Sequence, residues 1–267
     1  PAMILPRTFE GDFINMPIGT GPYTLASFQQ GDHVRLRRRD DYWRQDEQGN
    51  PLPYLDELLY LDLSPDERVA ALQAGLIDTL YIPRPEDWQA LQTTPNLNIF
   101  RASTAQAIVV RMRTDQAPWD DERVRTALKL CQDRQKILDS TYFGQGDLAQ
   151  DAHVAPVHPA YCERPIPAYD PEQARALLSE AGYVNGLNVT LTTKNDQGEP
   201  ELARALKELA APGGFNIALN IVEPATYWSQ WTEVNFGITT WAHRPLDSMK
   251  LSLAYTINPR GSHAAWN

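Results

Sequence analysis

The sequence predicts an α/β fold, because segments with strand character alternate with segments with helix character along both halves of the chain. The chain has 267 residues, of which 42% are hydrophobic. A chain of this size can bury a full core without disulfides or metal ions, and it forms one large domain or two ordinary ones. We therefore expect α/β architecture throughout.

In the first half, strands are expected where short apolar stretches alternate with polar residues. These strands are predicted over 23–25, 34–37, 58–63, 77–82, 97–101 and 107–112. A helix is predicted from Ser64 to Ala74, since Ser64 is a capping residue, Pro65 follows it and Gly75 ends the segment. A short helix is predicted over 85–91.

In the second half, an apolar stripe at helical spacing predicts one long helix from Asp121 to Tyr142. Further helices are predicted over 170–181, 199–210, 224–232 and 247–255, and strands over 187–193, 215–222 and 236–241. Residues 151–169 are rich in proline and are expected to be irregular, with His153 and His158 at the surface.

Composition excludes several functional classes. The formal net charge of −10 argues against a general nucleic-acid binder, and no stretch approaches the ~18 apolar residues of a membrane span. Cys131 and Cys162 are the only cysteines, so a four-cysteine zinc site is excluded. The sequence leaves two alternatives open for these cysteines, one disulfide between them or two free thiols. No Ser/His/Asp, Cys/His or HExxH arrangement indicates catalysis.

Five motifs occur in a fixed order along the chain. They are PIGTGPY at 17–23 with RDDYW at 39–43, PLPYLD at 51–56, AGLID at 74–78, VRTAL at 124–128 with Asp133-Arg134, and YDPEQARALL at 169–178 with EAGY at 180–183. In these motifs the chain resembles the family 5 extracellular solute-binding proteins of ABC transporters, the group that binds oligopeptides, dipeptides and nickel. The resemblance covers nearly the whole chain.

The resemblance implies a two-lobed periplasmic-binding-protein-like fold of type II, in which two α/β lobes close on a solute. Full family members are about twice as long as this chain, as two lobes of ordinary domain size require. Residues 1–105 are expected to be the second segment of lobe I, and residues 106–267 most of lobe II, ending before the return to lobe I. We then expect only part of each lobe to be present, and no signal peptide is visible in the residues from Pro1 onward.

The resemblance also implies partners and location. We expect a substrate-binding component of an ABC importer that captures a small-molecule solute or short peptide and delivers it to a permease in the membrane. We expect a periplasmic or extracellular monomer, with a lipid anchor on the missing N-terminal part as one option. No enzymatic activity, cofactor, metal ion or nucleic acid is expected.

Aromatic residues are concentrated near the C-terminus. Tyr227, Trp228, Trp241 and Trp266 are candidate ligand-binding residues, because aromatic rings supply contact area at low entropy cost. Trp231 lies three residues after Trp228 on the same predicted helix. Core packing is the alternative role for all of these side chains.

The segment WAHRPLD at 241–247 carries the most specific prediction. In the peptide binders of the family this strand end looks like W-x-G-D-x-x-D-P, and the first acid pairs with the α-ammonium group of the peptide. Here Arg244 stands at the position of that acid, and His243 replaces the small residue before it. Asp247 keeps the second acid, but Ser248 replaces the proline.

This reversal of charge predicts an anionic or polyhydroxylated solute rather than a peptide with a free N-terminus, because a guanidinium group suits carboxylates and repels ammonium groups. His243, Arg244 and Asp247 are therefore candidate ligand-binding residues. Four alternatives are open: an ordinary dipeptide- or oligopeptide-binding protein, a salt bridge of Arg244 with Asp247 or another acid, a metal contact at His243, and, remotely, a hydrolase using Asp247 and Glu233.

Overall fold

The computed structural model describes residues 17–81 and 83–255, together with residues 5, 7, 9, 11 and 12. The chain divides into two compact units, Pro1–Tyr81 and Ile82–Asn267. This division comes earlier in the sequence than the predicted boundary between lobe I and lobe II at 105/106. The assignment of residues to the two lobes stays a prediction. None of the described helices combines the length and the apolar character that crossing a membrane requires.

The first unit contains an antiparallel sheet with strand order β1-β2-β3. Its elements are β1 (Tyr23–Gln29), β2 (His33–Arg38), β3 (Glu57–Leu61) and helix α1 (Pro65–Gln73). The predicted cap of α1 is present, since the Ser64 backbone N–H donates a hydrogen bond to Glu67 Oε2 at 3.0 Å. Gly75 ends the helical segment with φ of +70°, a conformation that favours glycine.

The second unit is built on a mixed sheet whose strand order is β4-β7-β5-β6. The strands are β4 (Ala107–Met112), β5 (Leu187–Lys194), β6 (Phe215–Val222) and β7 (Phe236–Trp241). The helices are α2 (Trp88–Gln92), α3 (Glu122–Leu130), α4 (Arg134–Tyr142), α5 (Pro171–Glu180), α6 (Glu199–Ala210), α7 (Pro224–Gln230) and α8 (Ser248–Tyr255). β5 runs parallel to β6 and β7, whereas β4 runs antiparallel to β7.

The core of the second unit lies on one face of this sheet. Buried residues of β5, β6 and β7 pack there against α3, α5 and α6. Trp119 anchors the cluster, with its ring centroid 4.7 Å from that of Phe236 and 6.4 Å from that of Phe215. Alternate residues of β7 therefore face this core, and the residues between them face α7 on the other side.

Two predicted strands were wrong. Residues 77–81 and 97–101 are irregular, although both stretches are apolar. Tyr81 and Phe100 are exposed, and neither stretch pairs with a neighbouring strand among the described residues. An apolar stretch becomes a strand only where another strand accepts its backbone hydrogen bonds.

The predicted long helix is two helices, α3 and α4. They separate at residues 131–133, where the Asp133 carboxylate caps α4 by accepting a hydrogen bond from the Lys136 backbone N–H at 3.0 Å. Cys131 is fully buried at the end of α3, and burial raises the pKa of its thiol to about 12. Both cysteines are free thiols, because Cys131 is buried whereas Cys162 is exposed at a different place in the second unit.

A substitution at Gly213 tests this packing. A Cβ atom at Gly213 would lie 2.3 Å from Cys131 Sγ and 3.2 Å from Ala174 Cβ. We expect Gly213→Ala to lower the free energy of unfolding by about 1–3 kcal/mol, because the core must shift to admit the methyl group. Urea denaturation measures the loss. Gly19→Ala is the control, since nothing lies within 4 Å of its Cβ position; equal stability of the two variants would contradict the prediction.

Candidate functional site

The candidate site lies at the carboxyl ends of β5 and β7 in the second unit. Ligands of open α/β sheets bind at this edge. Trp241 is the last residue of β7 and pairs with Ala107 at the start of β4. Residues 241–247, here termed the binding segment, lead from this edge to α8.

A row of rings crosses this edge. We call Tyr227, Trp228, Trp231, Trp241 and His153 the aromatic row; successive ring centroids lie 5.5, 5.9, 6.4 and 4.9 Å apart. Trp228 is 45% exposed, Trp231 and Trp241 are half-buried, and the other two rings are buried. The structure thus brings together three of the four aromatic residues that the sequence singled out. Trp266 lies outside the described residues.

Tyr227 belongs to the interior rather than to the open surface. Its side chain is 0% exposed, and its hydroxyl donates a hydrogen bond to the Ile238 carbonyl. Arg111 Nη2 donates to the Tyr227 hydroxyl at 3.1 Å. The described contacts of Tyr227 are therefore with the protein, and its aromatic neighbour Trp228 is the more exposed of the pair.

Arg111 holds the aromatic row against the sheet. Its Nε donates to Thr239 Oγ1 at 2.6 Å, its Nη2 donates to the Trp231 carbonyl at 2.6 Å, and its guanidinium carbon lies 4.8 Å from the Trp231 ring centroid. Burial lowers the pKa of Arg111 to about 10, so the group is still a cation at neutral pH. The sequence analysis missed this residue, although an arginine inside the apolar strand AIVVRM was a signal.

The binding segment is held by hydrogen bonds to two other parts of the second unit, one through the His243 side chain and one through the Arg244 backbone. The Ala105 backbone N–H donates to His243 Nδ1 at 3.0 Å. The Arg244 carbonyl bonds to His158 Nε2 at 3.0 Å. The side chains of His243 and Arg244 are exposed, and Asp247 is half-buried.

Arg244 presents its charge without a described counter-ion. Its Nη1 donates to the His243 carbonyl at 3.1 Å. Within the described part of the second unit, Arg244 forms no ion pair, so the alternative salt bridge to Asp247 is not formed there. Lys250 on α8 is buried, donates to the Ala105 carbonyl, and has its pKa lowered by burial and by the charge of Arg244.

The expected surface position of His153 and His158 was wrong. Both side chains are less than 5% exposed, because the proline-rich loop folds against the binding segment. His153 contacts the Trp241 ring, and His158 bonds both to the segment and to the Ala155 backbone N–H at 3.0 Å. Burial, with a smaller contribution from Lys250, lowers the pKa of His153 to about 4.

A buried ion pair supports the same edge of the sheet. Glu199 at the start of α6 is 0% exposed and lies 2.8 Å from the Lys194 ammonium nitrogen. Its Oε1 also accepts the Thr240 backbone N–H at 3.1 Å and the Thr240 hydroxyl at 2.7 Å. Its Oε2 accepts the Thr193 hydroxyl at 2.7 Å. The pair therefore ties α6 and β5 to the residue before Trp241.

Two further alternatives from the sequence were a metal contact at His243 and a hydrolase using Asp247 and Glu233. Among the described residues, no group of three His, Cys, Asp or Glu side chains is arranged to hold a metal ion, so none completes a metal site at His243. Glu233, one acid of the remote hydrolase alternative, is exposed and lies 3.6 Å from Arg113 Nη1.

Comparisons with known proteins identify the family to which this chain belongs. The profile described as bacterial extracellular solute-binding proteins, family 5 Middle, matches residues 4–260. Di/tripeptide-binding protein 1 of Pseudomonas aeruginosa is 32% identical over 71% of this chain and 35% of its own length. The glutathione-binding protein GsiB of Salmonella paratyphi A is 32% identical over 73% of this chain and 38% of its own length. The chain thus spans about a third of the length of these curated relatives.

Solved structures share the fold. The periplasmic binding protein AgaA of A. tumefaciens R10, in complex with agropinic acid, has a TM-score of 0.79 at 22% identity over 92% of this chain and 50% of its own. The oligopeptide-binding protein AppA of Bacillus subtilis, in complex with a nonapeptide, has a TM-score of 0.73 at 23% identity over 90% of this chain and 50% of its own. The α/β architecture is that of type II periplasmic binding proteins, and the chain belongs to the bacterial extracellular solute-binding proteins of family 5.

Proposed function

We propose that this chain is part of the substrate-binding component of an ABC importer, which captures a solute outside the cytoplasm and delivers it to a membrane permease. Family membership supports this role, as do the relatives, which are di/tripeptide-binding and glutathione-binding proteins. The work of such a protein is binding, and the aromatic row and the binding segment are its contact surface in the second unit. Periplasmic or extracellular location follows from this role.

The aromatic row supplies the apolar part of that surface. Trp228, Trp231 and Trp241 present rings at the edge of the sheet where α/β folds bind ligands. Indole rings give large contact area at low cost in conformational entropy and stack on flat groups and sugar faces. The row therefore suits a solute with planar or ring-shaped parts.

The exposed Arg244 is the observation that supports an anionic or polyhydroxylated solute. Its guanidinium group meets no described acid in the second unit, and the nearby Lys250 adds positive charge. A carboxylate would accept paired hydrogen bonds from such a group, whereas the α-ammonium of a free peptide would be repelled. An ordinary dipeptide-binding protein is the second candidate, favoured by the names of the relatives.

A charge swap tests the proposal. With the full-length gene product, isothermal titration is expected to show that an N-acetylated dipeptide binds at least about tenfold more tightly than its free form, a difference of about 1.4 kcal/mol. Arg244→Asp is expected to reverse this preference. Arg204→Asp is the matched control, because Arg204 lies exposed on α6 and pairs with Glu201. Preference of the wild type for free N-termini, unchanged by the swap, would overturn the anionic proposal.

A further inference from the structure

Three of the five histidines in the chain converge on the binding segment from different directions. His158 reaches it from the proline-rich loop and bonds to the Arg244 carbonyl, and His153 of the same loop contacts the Trp241 ring. His243 lies within the segment and bonds outward to Ala105. Since loop residues 153–158 are far in sequence from the binding segment, only the fold places these rings together.

The hydrogen bonds of two of these rings require a neutral imidazole. His243 Nδ1 accepts the Ala105 backbone N–H, so this nitrogen carries no proton. His158 Nδ1 accepts the Ala155 backbone N–H, and its Nε2 must donate to the Arg244 carbonyl. Both rings are therefore in the tautomer with the proton on Nε2.

We propose that His158 and His243 are positioning residues of the solute site, which as neutral rings hold the backbone of the binding segment and thereby place Trp241 and Arg244. The proposal rests on the proposed function, because it takes the binding segment as solute-contacting. His158 acts through the Arg244 carbonyl and His243 through the Ala105 backbone. Neither role requires the ring to touch the solute.

Protonation would undo this arrangement. A proton on Nδ1 of either ring would face a backbone N–H and break the hydrogen bond that this nitrogen accepts. Among the described residues, the charged groups beside these rings are the Arg244 guanidinium, which donates to the His243 carbonyl, and the Lys250 ammonium on α8, which donates to the Ala105 carbonyl. Asp151, the nearest acid before His153 in the loop, is paired with Arg134 at 2.8 Å. Acidification is thus expected to loosen the segment and weaken solute binding.

Non-titrating substitutions separate positioning from general stability. In His158→Gln the side-chain amide keeps a donor near the Nε2 position, and in His243→Asn the amide oxygen keeps an acceptor near the Nδ1 position. For the wild type, the affinity for an N-acetylated dipeptide is expected to be several-fold lower at pH 5.5 than at pH 7.5, because a ring protonated on Nδ1 cannot accept these backbone hydrogen bonds. The double variant is expected to bind more weakly than the wild type at pH 7.5, because the glutamine keeps only one of the two hydrogen bonds of His158, and to lose most of this pH dependence.

The controls use the same titrations. His33→Gln is expected to leave the pH profile unchanged, because His33 bonds to Asp32 and Ser27 in the first unit. His158→Ala is expected to weaken binding at both pH values. An unchanged pH profile in the double variant would overturn the proposal.

A measurement on the ligand-free protein distinguishes failure of the positioning role from failure of the proposed function. Long-range ¹H–¹⁵N spectra of the ligand-free protein are expected to show His158 and His243 neutral with the proton on Nε2 at pH 7.5, and the backbone amides of 242–244 are expected to shift on acidification to pH 5.5. Either ring with its proton on Nδ1 at pH 7.5, or amides that do not respond, would overturn the positioning role. If these signals behave as expected but the dipeptide does not bind, the proposed solute class fails and the positioning role stands.

Discussion

Replacing Glu199 with alanine is expected to lower the free energy of unfolding by about 3–5 kcal/mol, because it removes the buried carboxylate partner of the Lys194 ammonium and leaves only the exposed Asp196, at 3.8 Å, as a described ionic partner. Both side chains are almost completely buried, and their 2.8 Å contact is accompanied by hydrogen bonds from Thr193 and Thr240 to the same carboxylate. Chemical denaturation followed by circular dichroism measures the loss. The expected effect is large because four donor groups, from Lys194, Thr193 and Thr240, lose their acceptor together.

Two further variants identify the cause of this loss. Glu199→Leu combined with Lys194→Met is expected to be less destabilised than Glu199→Ala, since it removes the buried charge as well as its partner. Glu201→Ala lies on the same helix but on its exposed face, and is expected to change stability by less than about 0.5 kcal/mol. A double variant at least as unstable as Glu199→Ala would show that the buried charge is not the cause.

The elements of the second unit show where sequence patterns suffice. The predicted bounds of β4, α6, β6 and β7 agree with the structure, because each combines clear periodicity with a local start or stop signal. The strands predicted over 77–82 and 97–101 have the same apolar character, but the described residues 77–81 and 97–101 form no strand. The difference lies in pairing with a neighbouring strand, which depends on parts of the chain far away in sequence.

In the candidate site, too, contacts between residues far apart in sequence could not be predicted. Trp228 and Trp241 could be singled out because they are close in sequence and the second ends a predicted strand. The groups that hold them could not, since Arg111 lies 116 residues from Tyr227 and His158 lies 86 residues from Arg244. A histidine in a proline-rich loop is ordinarily a surface residue, and only the packing of that loop against the binding segment buries it.

Arg111→Ala is expected to lower the free energy of unfolding by about 3–4 kcal/mol, because it leaves a cavity and removes the donor to the Trp231 carbonyl and to Thr239. Loss of the guanidinium above the Trp231 ring is also expected to change the tryptophan fluorescence of the folded state. Arg111→Lys keeps the charge but not the planar guanidinium group, so we expect a smaller decrease in the free energy of unfolding, about 1–2 kcal/mol.

The control for this prediction is Arg204→Ala, because Arg204 is exposed on α6 and its ion pair with Glu201 is solvated. Thermal and urea unfolding of the three variants, with fluorescence recorded before unfolding, distinguish two roles for Arg111. If Arg111→Ala is unstable and its fluorescence changes, the guanidinium both stabilises the core and places the aromatic row. If stability and fluorescence equal those of Arg204→Ala, the row is held by α7 and β7 alone, and the role assigned to Arg111 is wrong.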